Sequence, residues 1–217
     1  GRIQFAVQHN QDTSLEPKSE KSGEQDSSQS SGKLIGQPNE NSIFIPPTLR
    51  FKADDGSEFP DWEEKKLGEI VSKEKYSLTG GPFGSDLKSE DYTESGVRII
   101  QLQNIGDGYF KNDYRIYTSV EKANSLKSCN IYPGDLLLSK MGDPVARALL
   151  VPGTEERYVM CSDGIRIVPN PSRFSSYFLM SYINSPFFRN RAFSVSTGST
   201  RQRIGLTDLK VLTVVAP

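Results

Sequence analysis

Histidine is almost missing from this chain: His9 is the single one among 217 residues. That shortage removes the usual Ser–His and Cys–His catalytic pairs. Only two cysteines are present, Cys129 and Cys161, so a zinc site, which needs about four soft ligands, is excluded too. Neither cysteine stands in a CxxC pair, a usage that fits a reducing cytosol better than a disulfide scaffold and gives a cytoplasmic expectation. No apolar run approaches the roughly 20 residues of a membrane span, so no membrane partner is expected. No signal peptide and no internal repeat are visible. A start at Gly1 rather than Met fits a fragment or a processed product.

The marks of common enzymes are lacking as well. There is no GxGxxG or P-loop to cradle a phosphate and no GxSxG elbow. "PDWEEKK" (60–66) has the residue types of a magnesium nuclease, but its aspartate and its acid-x-lysine must come from neighbouring strands to share one metal. Asp61 and Glu64 are too close in sequence for that. "PNPSRF" (169–174) lacks the second proline and the aromatic of the turn with which amino-methyltransferases hold a flipped base. A non-catalytic role is favoured, with no metal and no cofactor in this chain.

Hydrophobic residues make up only 35% of the chain and the mean hydropathy is -0.51, and the cause is local. "HNQDTSLEPKSEKSGEQDSSQSSGK" (9–33) cannot bury enough surface to offset chain entropy. Residues 1–58 are therefore expected to be a low-complexity tail with an extended lead-in, and 59–217 a folded domain. The first 60 residues carry 6 basic and 9 acidic side chains, leaving 20 basic and 18 acidic in the remainder. The tail thus masks a folded part that is mildly basic.

Within that part, "WEEKKLGEIV" is compatible with either a strand or a helical turn. "LTGGPFGSDLKSEDYTESG" (78–96), with four glycines and no useful period, reads as a long loop of the kind that usually serves function. "VRIIQLQNI" (97–105) reads as a strand. In "IYPGDLLLSK" the Pro133–Gly134 pair fits a type II turn before a buried leucine strand. "VARALLVPG" and "YVMCSDGIRIVPNP" add further strands. Phe174, Tyr177, Phe178 and Tyr182 recur at helical spacing on one expected core face, and Ser185–Pro186 is an N-cap and first-turn signature for a second helix. The expected fold class is α+β, with a twisted, mainly antiparallel sheet or sheets and helices clustered late.

Between Gly164 and Lys210 stand seven basic residues, six of them arginines, against the single acid Asp208. Arginine's planar fork suits phosphate or a guanine edge. Sequence reading also needs polar groups aimed into a groove, which "STRQR" (199–203) and "QLQN" (101–104) supply. The competing interpretation is a solvated face.

Three spaced segments, "GPFGSDLKSEDYTESGVRIIQLQNIGDGYF", "IYPGDLLLSKMGDP" and "STGSTRQRIGLTDLKVLTVVAP", following "WEEKKLGEIV", resemble a target recognition domain of the specificity subunit of type I restriction-modification systems. The resemblance covers roughly Phe59 to Pro217, and the lead-in "TLRFKADDGSEFPDW" is similar to the start of such subunits. It implies an α+β reader of double-stranded DNA without catalysis of its own, whose loops enter the grooves. Family members carry two such domains separated by long helices, each domain reading half of a split target. They dock methyltransferase subunits, which use S-adenosylmethionine to methylate adenine, and a separate motor and endonuclease subunit. This chain carries one such domain and ends at "VVAP", which fits a half-subunit fragment or a product of gene rearrangement.

The family does not fix base-reading positions, so candidates are chosen by chemistry. Arg201 and Arg203 come first, for phosphate or guanine contact, with Gln202, Ser199 and Thr200 beside them. Lys140 is placed at a strand end; Ser85, Asp86 and Lys88 on the glycine-rich loop; and Gln101, Gln103 and Asn104 on an edge strand. The competing functions are a protein–protein interaction module working through "GGPFGSD" and the aromatic helix, and an orphan nuclease-associated domain.

Overall fold

Leu136, Leu137 and Leu138 are consecutive and all three are fully buried, which a strand achieves only when both of its faces are covered. The architecture supplies those two covers. The computed structural model of the chain describes residues 52–58 and 61–216, all of them within one compact unit, Pro46–Pro217. The expected tail thus lies largely outside the described residues. At its C-terminal end, Lys52 bridges Glu58 around the turn at "ADDGS", where the Asp55 carboxylate accepts from the backbone and hydroxyl of Ser57.

In chain order the strands are β1 (Glu63–Lys66), β2 (Leu78–Gly80), β3 (Tyr92–Thr93), β4 (Val97–Ile100), β5 (Ile116–Thr118), β6 (Asn130–Ile131), β7 (Leu136–Ser139), β8 (Met141–Gly142), β9 (Ala148–Leu150), β10 (Tyr158–Met160), β11 (Gly164–Ile167), β12 (Gln202–Arg203) and β13 (Thr213–Ala216). The α-helices are α1 (Leu67–Ile70), α2 (Val120–Ser125), α3 (Ser176–Ile183), α4 (Pro186–Ser194) and α5 (Leu206–Val211). "WEEKKLGEIV" resolves into both readings, a strand and then one helical turn.

A five-stranded sheet runs β3-β5-β4-β10-β6 and a four-stranded sheet runs β2-β11-β7-β9; β1 pairs with β13, and β12 with β8. Every pairing is antiparallel except that of β4 with β10. Strand alternation divides β7 between two cores. Leu136 and Leu138, with Ile165, Ile167 and Ala148, pack toward residues of the helices, including Leu179, Ile183, Phe188 and Leu209. Leu137 and Leu149 pack toward Ile99, Tyr158 and Met160 of the five-stranded sheet. The result is an α+β arrangement in layers, with the four-stranded sheet covered by helices on one side and by the other sheet on its second side. The type II turn before β7 has Gly134 at φ +86°, with Asp135 N–H donating to Tyr132 C=O at 3.0 Å.

Helices α3 and α4 start as their sequences direct. Ser175 and Ser185 accept from the backbone N–H of Phe178 and Phe188 at 3.3 and 3.4 Å, and Pro186 opens α4. The expected aromatic core face holds for Phe174, Phe178 and Tyr182, which pack against the helical core, and fails for Tyr177. Tyr177 is 67% exposed, Phe178 and Tyr182 are half-buried, and the buried stripe of α3 is Leu179, Met180 and Ile183. The Asn184 amide that ends α3 both donates to and accepts from the Ala148 backbone, at 2.8 and 2.9 Å, and so covers the edge strand β9. "VRIIQLQNI" is a strand only over its first four residues; 102–104 form a 3₁₀ turn. β4 lies inside its sheet, so Gln101, Gln103 and Asn104 do not line a strand edge as expected.

Candidate nucleic-acid interface

The turn Cys161–Asp163, between β10 and β11, is the hub of this end of the molecule. The glycine-rich loop comes onto it first. Gly81 N–H donates to Gly164 C=O at 2.9 Å, and a Cβ at Gly81 would lie 1.8 Å from the Cys161 carbonyl oxygen. Only glycine permits that approach. From the other side, Lys140 N–H donates to Asp163 C=O at 2.7 Å, and Ile204 N–H donates to Lys140 C=O at 2.9 Å. Backbone hydrogen bonds thus connect the glycine-rich loop, the hub turn, the end of β7 and the arginine segment in one ladder.

The arginine segment is a hairpin tip. Thr197 and Arg203 exchange both backbone hydrogen bonds, at 2.9 and 2.8 Å, and Gly198 takes φ +112°, where a Cβ would meet Arg201 C=O at 2.5 Å. The Gln202 amide donates to Gly198 C=O at 2.9 Å and staples the loop. Ser199, Thr200 and Arg201 are left exposed at the tip. β12 then pairs with β8, Arg203 opposite Met141, which seats the hairpin beside Lys140.

Next to this ladder is an open cleft of about 680 Å³. Gly80–Phe83, Ser85 and Asp86 line one wall, and Lys140, Lys122 of α2 and Leu206 of α5 are among its other residues. A second cleft of about 230 Å³ lies between Leu87, Tyr92, Gln101 and the hub's Asp163. Among the expected residues, Ser85 and Lys140 therefore line one cleft, and Arg201, Ser199 and Thr200 stand on the adjoining hairpin. Lys88 is exposed on the glycine-rich loop and pairs with Glu90 at 3.3 Å. Gln103 is exposed and donates to Gln101 at 3.3 Å. Asn104 departs from expectation: it is buried, accepts from Gln101 N–H and donates to the carbonyls of Lys111 and Tyr114, all at 2.9 Å. It pins a chain reversal from inside and presents no group to a ligand.

The basic cluster is also thinner than its sequence. Arg166 pairs with Asp135, Arg173 with Glu63, Arg189 with Asp107, Arg191 with Glu64 and Arg203 with Asp163. Among the described residues Arg201, Lys140 and Lys210 make no ion pair. Glu63 and Glu64, the acids of the nuclease-like stretch, are partners of arginines on the helical side. Two residues escaped the sequence reading. Phe83 stands 82% exposed on the glycine-rich loop, signalled only by its place between Gly-Gly-Pro and Gly. Asp163 holds Arg203, and nothing in "CSDG" beyond a turn marks it.

The hub also controls a thiol. Burial pushes Cys161 from 9.0 up to about 11; the Asp163 carboxylate acts the same way, against a backbone hydrogen bond from Asp163 that lowers it. An unfolded thiol releases its proton first, so the stability held by the neutral form is complete below about pH 9 and is lost as pH rises toward 11. At pH 8 the folded chain should hold about a hundredfold less Cys161 thiolate than the unfolded chain. Iodoacetamide followed by peptide mass mapping should show Cys161 modified rapidly only in denaturant.

Fold and site together define an α+β module of layered short sheets that presents a glycine-rich loop, a lysine and an arginine hairpin from one backbone ladder. That fold is shared with S subunits of type I restriction-modification systems. One similar structure, described as the structural basis of complex assembly and conformational transition of the type I R-M system, matches with TM-score 0.52 and 20% identity over 76% of this chain and 37% of its own. Another, the type I restriction-modification system S subunit from M. genitalium, matches with TM-score 0.51 and 14% identity over 79% of this chain and 37% of its own. This chain therefore spans little more than a third of the length of either. No protein-family model and no curated protein matches the sequence.

Proposed function

We propose that this chain is a DNA-reading, non-catalytic specificity component of a type I restriction-modification system, recognising one half of a bipartite target. Partner subunits would carry the chemistry: a methyltransferase using S-adenosylmethionine to methylate adenine, and a motor and endonuclease subunit. The observation that carries the reading is Arg201, exposed and free of ion pairs among the described residues, on a hairpin tied by backbone hydrogen bonds to the Lys140 strand end and the glycine-rich loop. A rigid frame with free cationic and hydroxyl donors fits a duplex, because phosphate contacts fix register while base-edge contacts specify sequence. The shared fold supports the same reading.

The test is Arg201→Ala, titrated against a duplex that the unaltered chain selects from a random pool and against a scrambled duplex, each at several salt concentrations. If Arg201 contacts phosphate, both affinities fall alike and the salt slope drops by about one; if it reads guanine, discrimination falls by about 1–3 kcal/mol. Unchanged binding to both duplexes rejects the hairpin as the contact surface. A protein-docking role is favoured by one observation, the exposed Phe83. It would be the better reading if the unaltered chain bound neither duplex.

A further inference from the structure

We propose that Asp163 is a positioning residue that holds Arg203 for base reading and keeps it from non-specific phosphate contact. The inference rests on the DNA-reading function proposed above. Arg203 is on β12, and Arg201 is two residues earlier, on the exposed bend that leads into it. Their circumstances differ. Arg201 is exposed with no ion pair among the described residues, whereas Arg203 Nη2 lies 2.9 Å from Asp163 Oδ1 and 3.7 Å from Met141 Sδ. The Asp163 side chain is 18% exposed and that of Arg203 46%, so the carboxylate is set in the wall and the guanidinium stands at the lip.

Three features make this pair more than a surface contact. First, Asp163 cannot drift, because its own carbonyl accepts from Lys140 and its turn is packed against Gly81. Second, Arg203 is on the paired strand β12 rather than on the loop, so both ends of the ion pair are anchored. Third, one carboxylate oxygen engages one Nη, which leaves other N–H donors of the fork unassigned. A guanidinium tethered at one Nη, with its other donors open, suits the bidentate guanine edge. The adjacent carboxylate offsets the Arg203 charge that would otherwise attract any phosphate. Arg201 then supplies the sequence-independent grip and Arg203 the discrimination.

The experiment uses the 217-residue chain with Asp163→Asn, Asp163→Glu, Arg203→Ala and the double variant D163N/R203A. Each is titrated against the pool-selected duplex and a scrambled duplex of equal length across a salt series, with thermal melting as the check on folding. For D163N the scrambled duplex should bind about tenfold tighter with a salt slope steeper by about one phosphate, and the ratio of selected to scrambled affinity should fall about tenfold or more. D163E, which keeps the charge, should behave as the unaltered chain. R203A should lose discrimination, and D163N added to it should bring no further gain on the scrambled duplex. The proposal is overturned if D163N alters neither slope nor ratio, or if its gain persists undiminished beside R203A, since the charge would then act without Arg203. If the unaltered chain binds neither duplex, the DNA-reading function fails and this proposal with it; binding without a D163N effect sinks this proposal alone.

Discussion

Gly81→Ala should lower the stability of the domain by about 3 kcal/mol or more, and duplex binding should be lost with it. The added methyl would sit 1.8 Å from the Cys161 carbonyl oxygen and 2.6 Å from its carbon, both backbone atoms that no rotamer change can remove. Either the glycine-rich loop lifts off the hub turn or the turn moves, and the turn carries Asp163 and the acceptor for Lys140. In a domain of this size the loss corresponds to a fall of about 6–12 °C in thermal midpoint. Gly84→Ala, three residues on in the same loop, is the matched control. Nothing lies within 4 Å of its Cβ position and its φ is not in the left-handed region, so it should be neutral or raise stability by up to about 1 kcal/mol through the unfolded chain. Equal melting of the two variants would mean that the loop does not pack on the hub.

The contrast between these glycines shows what the sequence could and could not convey. Local chemistry was legible where one residue's own preference decides the outcome. Pro133–Gly134 makes its type II turn, Ser185 caps its helix, and β7, β9, β10 and β11 lie where apolar runs end at Pro and Gly. The α+β class followed from those elements. Pairings between distant segments were not legible. Seven basic residues near the C-terminal end read as one cationic face, yet five arginines meet carboxylates contributed by other segments. Asn104 looked like a reader because asparagine serves as well inside a chain reversal as in a groove, and burial depends on where Lys111 and Tyr114 return. Tyr177 failed for a simpler reason. It shares the aromatic spacing of Phe178 and Tyr182, but the buried stripe is carried by Leu179, Met180 and Ile183.

Asp135→Ala, at a side chain that stays clear of the proposed DNA surface, should cost about 3–5 kcal/mol. Asp135 Oδ2 accepts from Arg166 Nε at 2.7 Å and from Tyr132 N–H at 2.8 Å, with 9% and 13% of the two charged side chains exposed. The Arg166 guanidinium also lies 5.3 Å from the centre of the Tyr132 ring. Truncation leaves that guanidinium enclosed without its counter-charge and the turn N–H without its acceptor, so two penalties add. Asp135→Asn keeps an acceptor for Tyr132 and should cost less. Arg166→Met combined with Asp135→Asn removes both charges and should recover most of the loss, as an ion pair replaced together often does. Urea midpoints at low and high salt give the measurement. The cost should hardly change with salt, because an enclosed pair is little screened, whereas the effects of Arg201 and Asp163 on duplex binding should be strongly salt-dependent. Asp135 ends the turn that launches β7, and β7 delivers Lys140 to the cleft, so destabilised chains will also bind DNA less. Correcting apparent affinity for the folded fraction should restore the binding of D135A fully and that of R201A not at all. Failure of that correction for D135A would place Arg166 among the residues that touch DNA.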